Sequence, residues 1–94
     1  MPPVSQFGTI CAAKPTRIGA GDRAFPKSAV TAGYADGWVV VRHDIVNGKT
    51  RNASVVASSP SLFEPAALRV VVSMEYAETV SVTQCVLPIV FRLE

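Results

Sequence analysis

Residues 37–59 read Gly37-Trp-Val-Val-Val-Arg-His-Asp-Ile-Val46, then Asn47-Gly48, then Lys49-Thr-Arg-Asn-Ala-Ser-Val-Val-Ala-Ser-Ser59. Two runs rich in β-branched and aromatic residues, which fit a pleated half-buried surface, flank a dipeptide that supplies the positive φ angles of a tight primed turn. The stretch is a β-hairpin. In its first strand the alternation places Val39, Val41, His43 and Ile45 on one face and Trp38, Val40, Arg42 and Asp44 on the other. The first set is expected to face the helices. In the second strand Thr50, Ala53, Val55 and Val56 carry the apolar content, and the break in alternation at Val55-Val56 points to a bulge or twist.

Downstream of the hairpin, Ser61-Leu62-Phe63-Glu64 has the spacing of a capping box, so a helix is expected to begin near Leu62. Its apolar stripe is Phe63, Ala67, Val70, Val71 and Met74, with Arg69 and Ser73 off that face. Such a stripe is read as core. The closing run from Cys85 to Leu93 is a strand whose buried set is Leu87, Ile89, Phe91 and Leu93, with Val86, Pro88, Val90 and Arg92 facing outward. Pro88 has no backbone donor, which places this strand at a sheet edge or beside a bulge. Upstream, Pro26 opens a short helix over residues 27–32 and Gly33 stops it.

Residues 1–24 carry Pro2, Pro3, Pro15, Gly8, Gly19 and Gly21 and read as an arm or linker, within which a stretch from Phe7 to Ala13 is a candidate extra strand tethered by Cys11. Residues 25–94 form one domain. At 94 residues and 49% hydrophobic the composition is that of a single globular unit, and no apolar run reaches the ~20 residues of a membrane span. Pro2-Pro3 and Gly8 interrupt the N-terminal stretch where a signal-peptide apolar run would lie.

The net charge of +2 divides unevenly, with seven basic residues against three acidic ones over residues 1–51 and the reverse tendency beyond. Arg42, Lys49 and Arg51 decorate a hairpin and form no aromatic-interleaved basic stripe, which argues against nucleic acid as a partner. Cys11 and Cys85 are too far apart for a CxxC motif. Two readings stand: a disulfide closing a long loop in an oxidising compartment, or two unpaired thiols. His43 is the single histidine, on the inward register of a strand, and is read as a buried structural residue. Cys85, His43 and Asp44 assemble a nucleophile, base and acid only on paper, because Asp44 points to the opposite face from His43. No phosphate-loop glycine spacing exists. No enzyme, cofactor, metal or small-molecule substrate is expected.

Several landmarks together resemble the C-terminal domain of the TonB family. They are Phe25-Pro26-x-x-Ala29, Gly37-x-Val39-x-Val41, Gly48-x-Thr50, Val55-Val56-x-Ser58-Ser59-Pro60, Phe63-Glu64-x-Ala66-Ala67-Leu68 and Pro88-Ile-Val-Phe91-Arg-Leu93, in order over about residues 22–94. The chain departs from the family pattern at Met74, which stands where an aromatic Trp-x-Tyr-x-Pro stretch often begins, and at Asp22-Arg23, near the place of a receptor-contacting Gln-Pro pair. The resemblance implies an α+β fold, a small antiparallel sheet of about three strands packed on two helices. It implies a non-enzymatic periplasmic module that grips an extended segment of an outer-membrane receptor by β-strand addition, often as a dimer. The inner-membrane proton-driven motor is reached through a region N-terminal to this sequence. Carried onto these residues, the peptide-binding edge is Gln84, Cys85, Val86, Leu87, Pro88, Ile89, Val90 and Arg92, with Arg23 and Phe25 as accessory contacts. A stand-alone module that pairs with its own copy through the same edge is the rival reading, with Cys11 or Cys85 stabilising the assembly.

Overall fold

The computed structural model describes residues 4–19 and 25–93. Its elements run β1 (Arg17–Ile18), α1 (Lys27–Thr31), β2 (Asp36–Val46), β3 (Lys49–Ser59), α2 (Glu64–Val72), β4 (Met74–Glu75) and β5 (Val82–Arg92). The fold is α+β, with one antiparallel sheet of five strands in the order β1-β4-β3-β2-β5. That is more than the three strands expected, because the two-residue strands β1 and β4 fall below the length at which sequence alternation registers.

The hairpin forms as read, with β2 and β3 meeting at Asn47 (φ 50°) and Gly48 (φ 81°). β3 bulges twice against β2, once near Val56 and again near Asn52, and each extra residue bends and coils the pair. Val39, Val41, His43 and Ile45 all lie buried on one face of β2. Across β2, Val39 and Val41 join Ala29, Phe63, Ala66, Ala67, Val71 and Phe91 in one core cluster. Ile45 joins Val70, Met74, Tyr76 and Cys85 in a second at the hairpin end.

The ring of Phe63 stacks on Phe91 with centroids 5.0 Å apart, and Phe25 meets both edge-on. A Cβ at Gly37 would collide with the Phe63 ring, so the strand must be bare there for the aromatic to seat. The expected capping box does not form. Residues 61–63 make a 3₁₀ turn, Ser61 caps nothing, and the Glu64 carboxylate instead accepts the Ser58 hydroxyl. Pro65 in the first turn has already removed one orphan donor, which lessens the need for a side-chain cap. The helix therefore starts at Glu64, two residues later than expected, and ends at Val72. All five stripe residues are buried, but only Ala67, Val70 and Val71 lie on the helix, with Phe63 in the preceding turn and Met74 in β4.

β4 pairs with β3 on one side of the hairpin and β5 with β2 on the other. Residues 76–81 must therefore cross over the hairpin tip. Tyr76 N–H donates to the Gly48 carbonyl at 2.9 Å and Gly48 N–H to the Val80 carbonyl at 2.9 Å. The crossing is so close that a Cβ on Gly48 would lie 2.5 Å from the Tyr76 carbonyl oxygen and 2.8 Å from that of Ala77.

Residues 9–19 are part of the sheet system. Ile10 forms a parallel bridge with Val86 on the outer edge of β5, and the Cys11–Cys85 disulfide, spanning 74 residues of sequence, holds it there. On the far side Thr16 N–H donates to the Glu75 carbonyl at 2.7 Å, and β1 pairs with β4. Between them Cys11 and Ala13 pack against the hairpin-end core. The N-terminal segment thus straps one sheet edge to the other, and a disulfide closing so long a loop contributes about 2–4 kcal/mol.

Gly48→Ala combines a positive φ with collision against main chain that no rotamer relieves. It is expected to cost at least about 2 kcal/mol of unfolding free energy, read as a lowered urea midpoint, and a wild-type midpoint would contradict the crossing geometry.

Candidate functional site

β5 is an outermost strand, paired to β2 along its length from Ile45↔Val82 to Asp36↔Arg92. In an antiparallel ladder successive residues turn their main-chain groups alternately toward and away from the partner. Val86 gives the phase, since its N–H donates to Thr9 O at 2.8 Å and its carbonyl accepts from Cys11 N–H at 2.9 Å, both outside the β2 ladder. No register shift interrupts β5 between Val86 and Arg92. Pro88, Val90 and Arg92 therefore also turn their main-chain groups outward, while Leu87, Ile89 and Phe91 turn theirs to β2.

The position of Pro88 follows from this phase. Its missing N–H falls where β2 asks for none, so the ladder loses nothing. By this phase the Pro88 carbonyl and the N–H and C=O groups of Val90 and Arg92 point away from β2, and among the described residues no hydrogen bond from outside the ladder reaches them. Val90 is 53% exposed and Leu93 51% exposed beside them. This is an open strand edge flanked by apolar side chains.

The other sequence-predicted residues fall into different roles. Val86, expected outward, is completely buried, because residues 8–11 lie along it and a Cβ at Gly8 would come 3.5 Å from its Cγ1. Val40, expected on the solvent face with it, is completely buried too. Leu93, expected buried, is exposed beyond the last paired residue. Cys85 is held in the disulfide with Cys11. Gln84 has φ 52° and sits at the β5 bulge, where its N–H donates to Asp44 Oδ1 at 2.8 Å. Phe25 turns into the aromatic core rather than toward the edge. Arg23 lies outside the described residues.

Asp44 has a role that sequence reasoning missed. It stands on β2 opposite bulges in both neighbouring strands, and each bulge carries a left-handed residue, Asn52 (φ 54°) on β3 and Gln84 on β5. One carboxylate oxygen accepts from Gln84 N–H and the other from Asn52 Nδ2 at 2.8 Å. These hydrogen bonds to the charged form, that of Asn52 foremost, hold its carboxyl below the usual aspartate value. Asn52 is a residue type that tolerates the left-handed region, and this was the one local hint of the bulge.

His43 Nδ1 lies 3.3 Å from the Asp44 carbonyl, which only accepts, so Nδ1 carries the proton and Nε2 faces Cys11 Sγ at 3.5 Å. The fold brings both cysteines to this histidine. The donor atoms of Cys11, His43 and Cys85 all lie within 4.8 Å of one another. With the sulfurs bonded to each other, neither is a thiolate, and the histidine alone remains as a donor. Burial pushes the imidazole pKa down. Asp44 points away from His43's side of the sheet, as the alternation required, so the three groups do not converge into a nucleophile, base and acid.

Comparison with protein-family models finds no matching family, and comparison with curated proteins finds no significant match.

Both His43 and Asp44 titrate below their ordinary values of 6.5 and 3.8. Well above pH 6.5 folded and unfolded chains hold the same protons on both groups. As the pH falls below 6.5 the unfolded chain takes up a proton on His43 that the folded chain refuses, and below 3.8 the same holds for Asp44. Stability is expected to fall in two acid steps. In urea unfolding followed against pH, His43→Gln should remove the upper step and leave the lower, and an unchanged upper step would show that His43 does not produce it.

Proposed function

We propose that the chain is a non-enzymatic protein-interaction module of the TonB C-terminal type, binding an extended peptide segment along the outer edge of β5 by strand addition. The observation that carries this reading is the row of main-chain groups at Pro88, Val90 and Arg92 that an edge strand turns outward, without a partner strand among the described residues. Such a row is a template for an added strand: main-chain hydrogen bonds give affinity and alternate side chains give selectivity. Val90 and Arg92 would supply that selectivity.

The finer likeness to the TonB domain rests on the ordered landmarks in the sequence. The hairpin, the α2 stripe packed across it and the terminal edge strand with its proline are compatible with that likeness. In this reading the partner is a segment of an outer-membrane receptor, the setting is the periplasm, and the work is coupling of inner-membrane energy to transport. The Cys11–Cys85 disulfide favours an oxidising compartment. Among the described residues no helix is long and apolar enough to cross a membrane. The second reading, a homodimer through the same edge, is favoured by the exposure of Val90 and Leu93 beside the open groups.

Titration with extended receptor-type peptides, followed by amide NMR, is expected to shift resonances of residues 88–92 first. Val90→Pro removes the outward donor and leaves the β2 ladder its own, so it should abolish those shifts while the far-ultraviolet circular dichroism stays native. Shifts confined to other strands would refute edge pairing. Sedimentation over a range of concentrations separates the second reading, since only self-pairing gives a dimer without peptide.

A further inference from the structure

The outer edge of β5 is divided into two halves with different occupants. At Val86 both outward main-chain groups are taken by residues 9–11, in parallel orientation, with Gly8 continuing over the Val86 side chain. At Val90 and Arg92 the outward groups have no partner strand among the described residues, and Pro88 between the halves contributes a carbonyl and no donor. The pairing of residues 9–11 is itself strand addition, performed by the chain on its own edge. A partner strand that paired from Val86 to Arg92 would have to displace those residues. The disulfide prevents it, since it fixes the Cys11 Cα 4.8 Å from that of Cys85, one residue from Val86.

We infer that residues 9–11 are a resident strand that blocks half of the β5 edge while the Cys11–Cys85 disulfide is intact, and that reduction of this disulfide opens the whole edge, Val86 to Arg92, to an extended peptide. The peptide half of this inference rests on the strand-addition reading above; the opening itself does not. A second attachment makes the segment a hinged cover. Residues 16–19 remain bonded to β4 and Ser73 on the opposite sheet edge, independently of the disulfide. The freed strand therefore stays tethered close by, and it re-pairs at high effective concentration when no partner is present.

The step requires a dithiol reductant. One of its thiolates attacks the Cys11 sulfur, and the S–S bond breaks. Cys85 leaves as a thiolate and takes a proton, and a mixed disulfide remains on Cys11. The second thiol of the reductant then attacks its own sulfur in that mixed disulfide and releases Cys11 as a thiol. Two electrons and two protons pass to the protein, and the reductant ends as its cyclic disulfide. The two main-chain hydrogen bonds at Val86, the contact of Cys11 Sγ with His43 Nε2 and the packing of residues 8–13 then oppose departure of the strand.

Amide hydrogen exchange reads the opening directly on the full chain. In the oxidised protein Val86, bonded to Thr9, should be protected like Leu87 and Ile89, which are bonded to β2. On reduction by dithiothreitol, and in Cys11→Ser, Val86 exchange should accelerate at least about tenfold while Leu87 and Ile89 keep their protection. A synthetic peptide of residues 4–14 carrying C11S is the probe for the vacated edge. It should re-protect Val86 in the Cys11→Ser chain and bind at least about tenfold more tightly there than to the oxidised wild type. Continued protection of Val86 in both reduced and Cys11→Ser chains overturns the inference. So does joint loss of protection at Val86, Leu87 and Ile89, which would make the disulfide a global staple. Opening of Val86 with no binding of this probe or of a receptor-type peptide overturns the strand-addition reading instead, and with it the peptide half of the inference.

Discussion

The close crossing of residues 76–81 over the hairpin tip is the contact on which the rest of the structure depends. The chain leaves α2 into β4 on the β3 side and must reach the β2 side to lay down β5. Gly48 is the pivot of that passage, accepting from Tyr76 and donating to Val80. A residue with a Cβ would hold the crossing chain away from the turn. Without the crossing β5 has no route to its register against β2, and the sheet ends at the hairpin. The same Asn-Gly pair that makes the turn tight therefore also determines where the last strand lies.

β2 is the shared central element, and its neighbours bend around it. Eleven-residue strands with bulges on both flanks coil rather than lie flat, and Asp44 holds both bulges with one carboxylate. Coiling brings the outer strands toward each other, and residues 9–19 pass from the edge of β5 to the edge of β4 across the hairpin-end core. The disulfide and the histidine beside it lie under that strap. A buried imidazole kept neutral next to a disulfide is compatible with this apolar interior, whereas a charged one would carry the cost of desolvation.

Recognition through main-chain groups asks little of particular side chains. A chain that presents an open strand edge is consistent with that mode of binding. The edge was legible in advance through Pro88, because a missing donor restricts where a strand lies. Its division into a covered and an open half was not legible. The pairing of Ile10 with Val86 joins segments more than seventy residues apart, and residues 9–11 are too few to show a strand period against their proline- and glycine-rich surroundings. For the same reason the burial of Val86 could not be read from β5 alone.

Local chemistry determined what each segment of this chain becomes. Asn47-Gly48 requires a tight turn, the alternation in β2 selects the buried face with His43 on it, and the spacing from Phe63 to Met74 marks residues that α2 and its two flanks bury. These signals act within a few residues, where sterics and hydrophobic periodicity decide. Only the tertiary structure decided what meets what: that Cys11 finds Cys85 and His43, that Asp44 serves two bulges, that Glu64 bonds Ser58 instead of a helix end, and that β5 is covered at Val86 and open at Val90. Those outcomes depend on which distant groups the crossing at Gly48 and the coil of the sheet bring together, and distance along the chain carries no local signal of it.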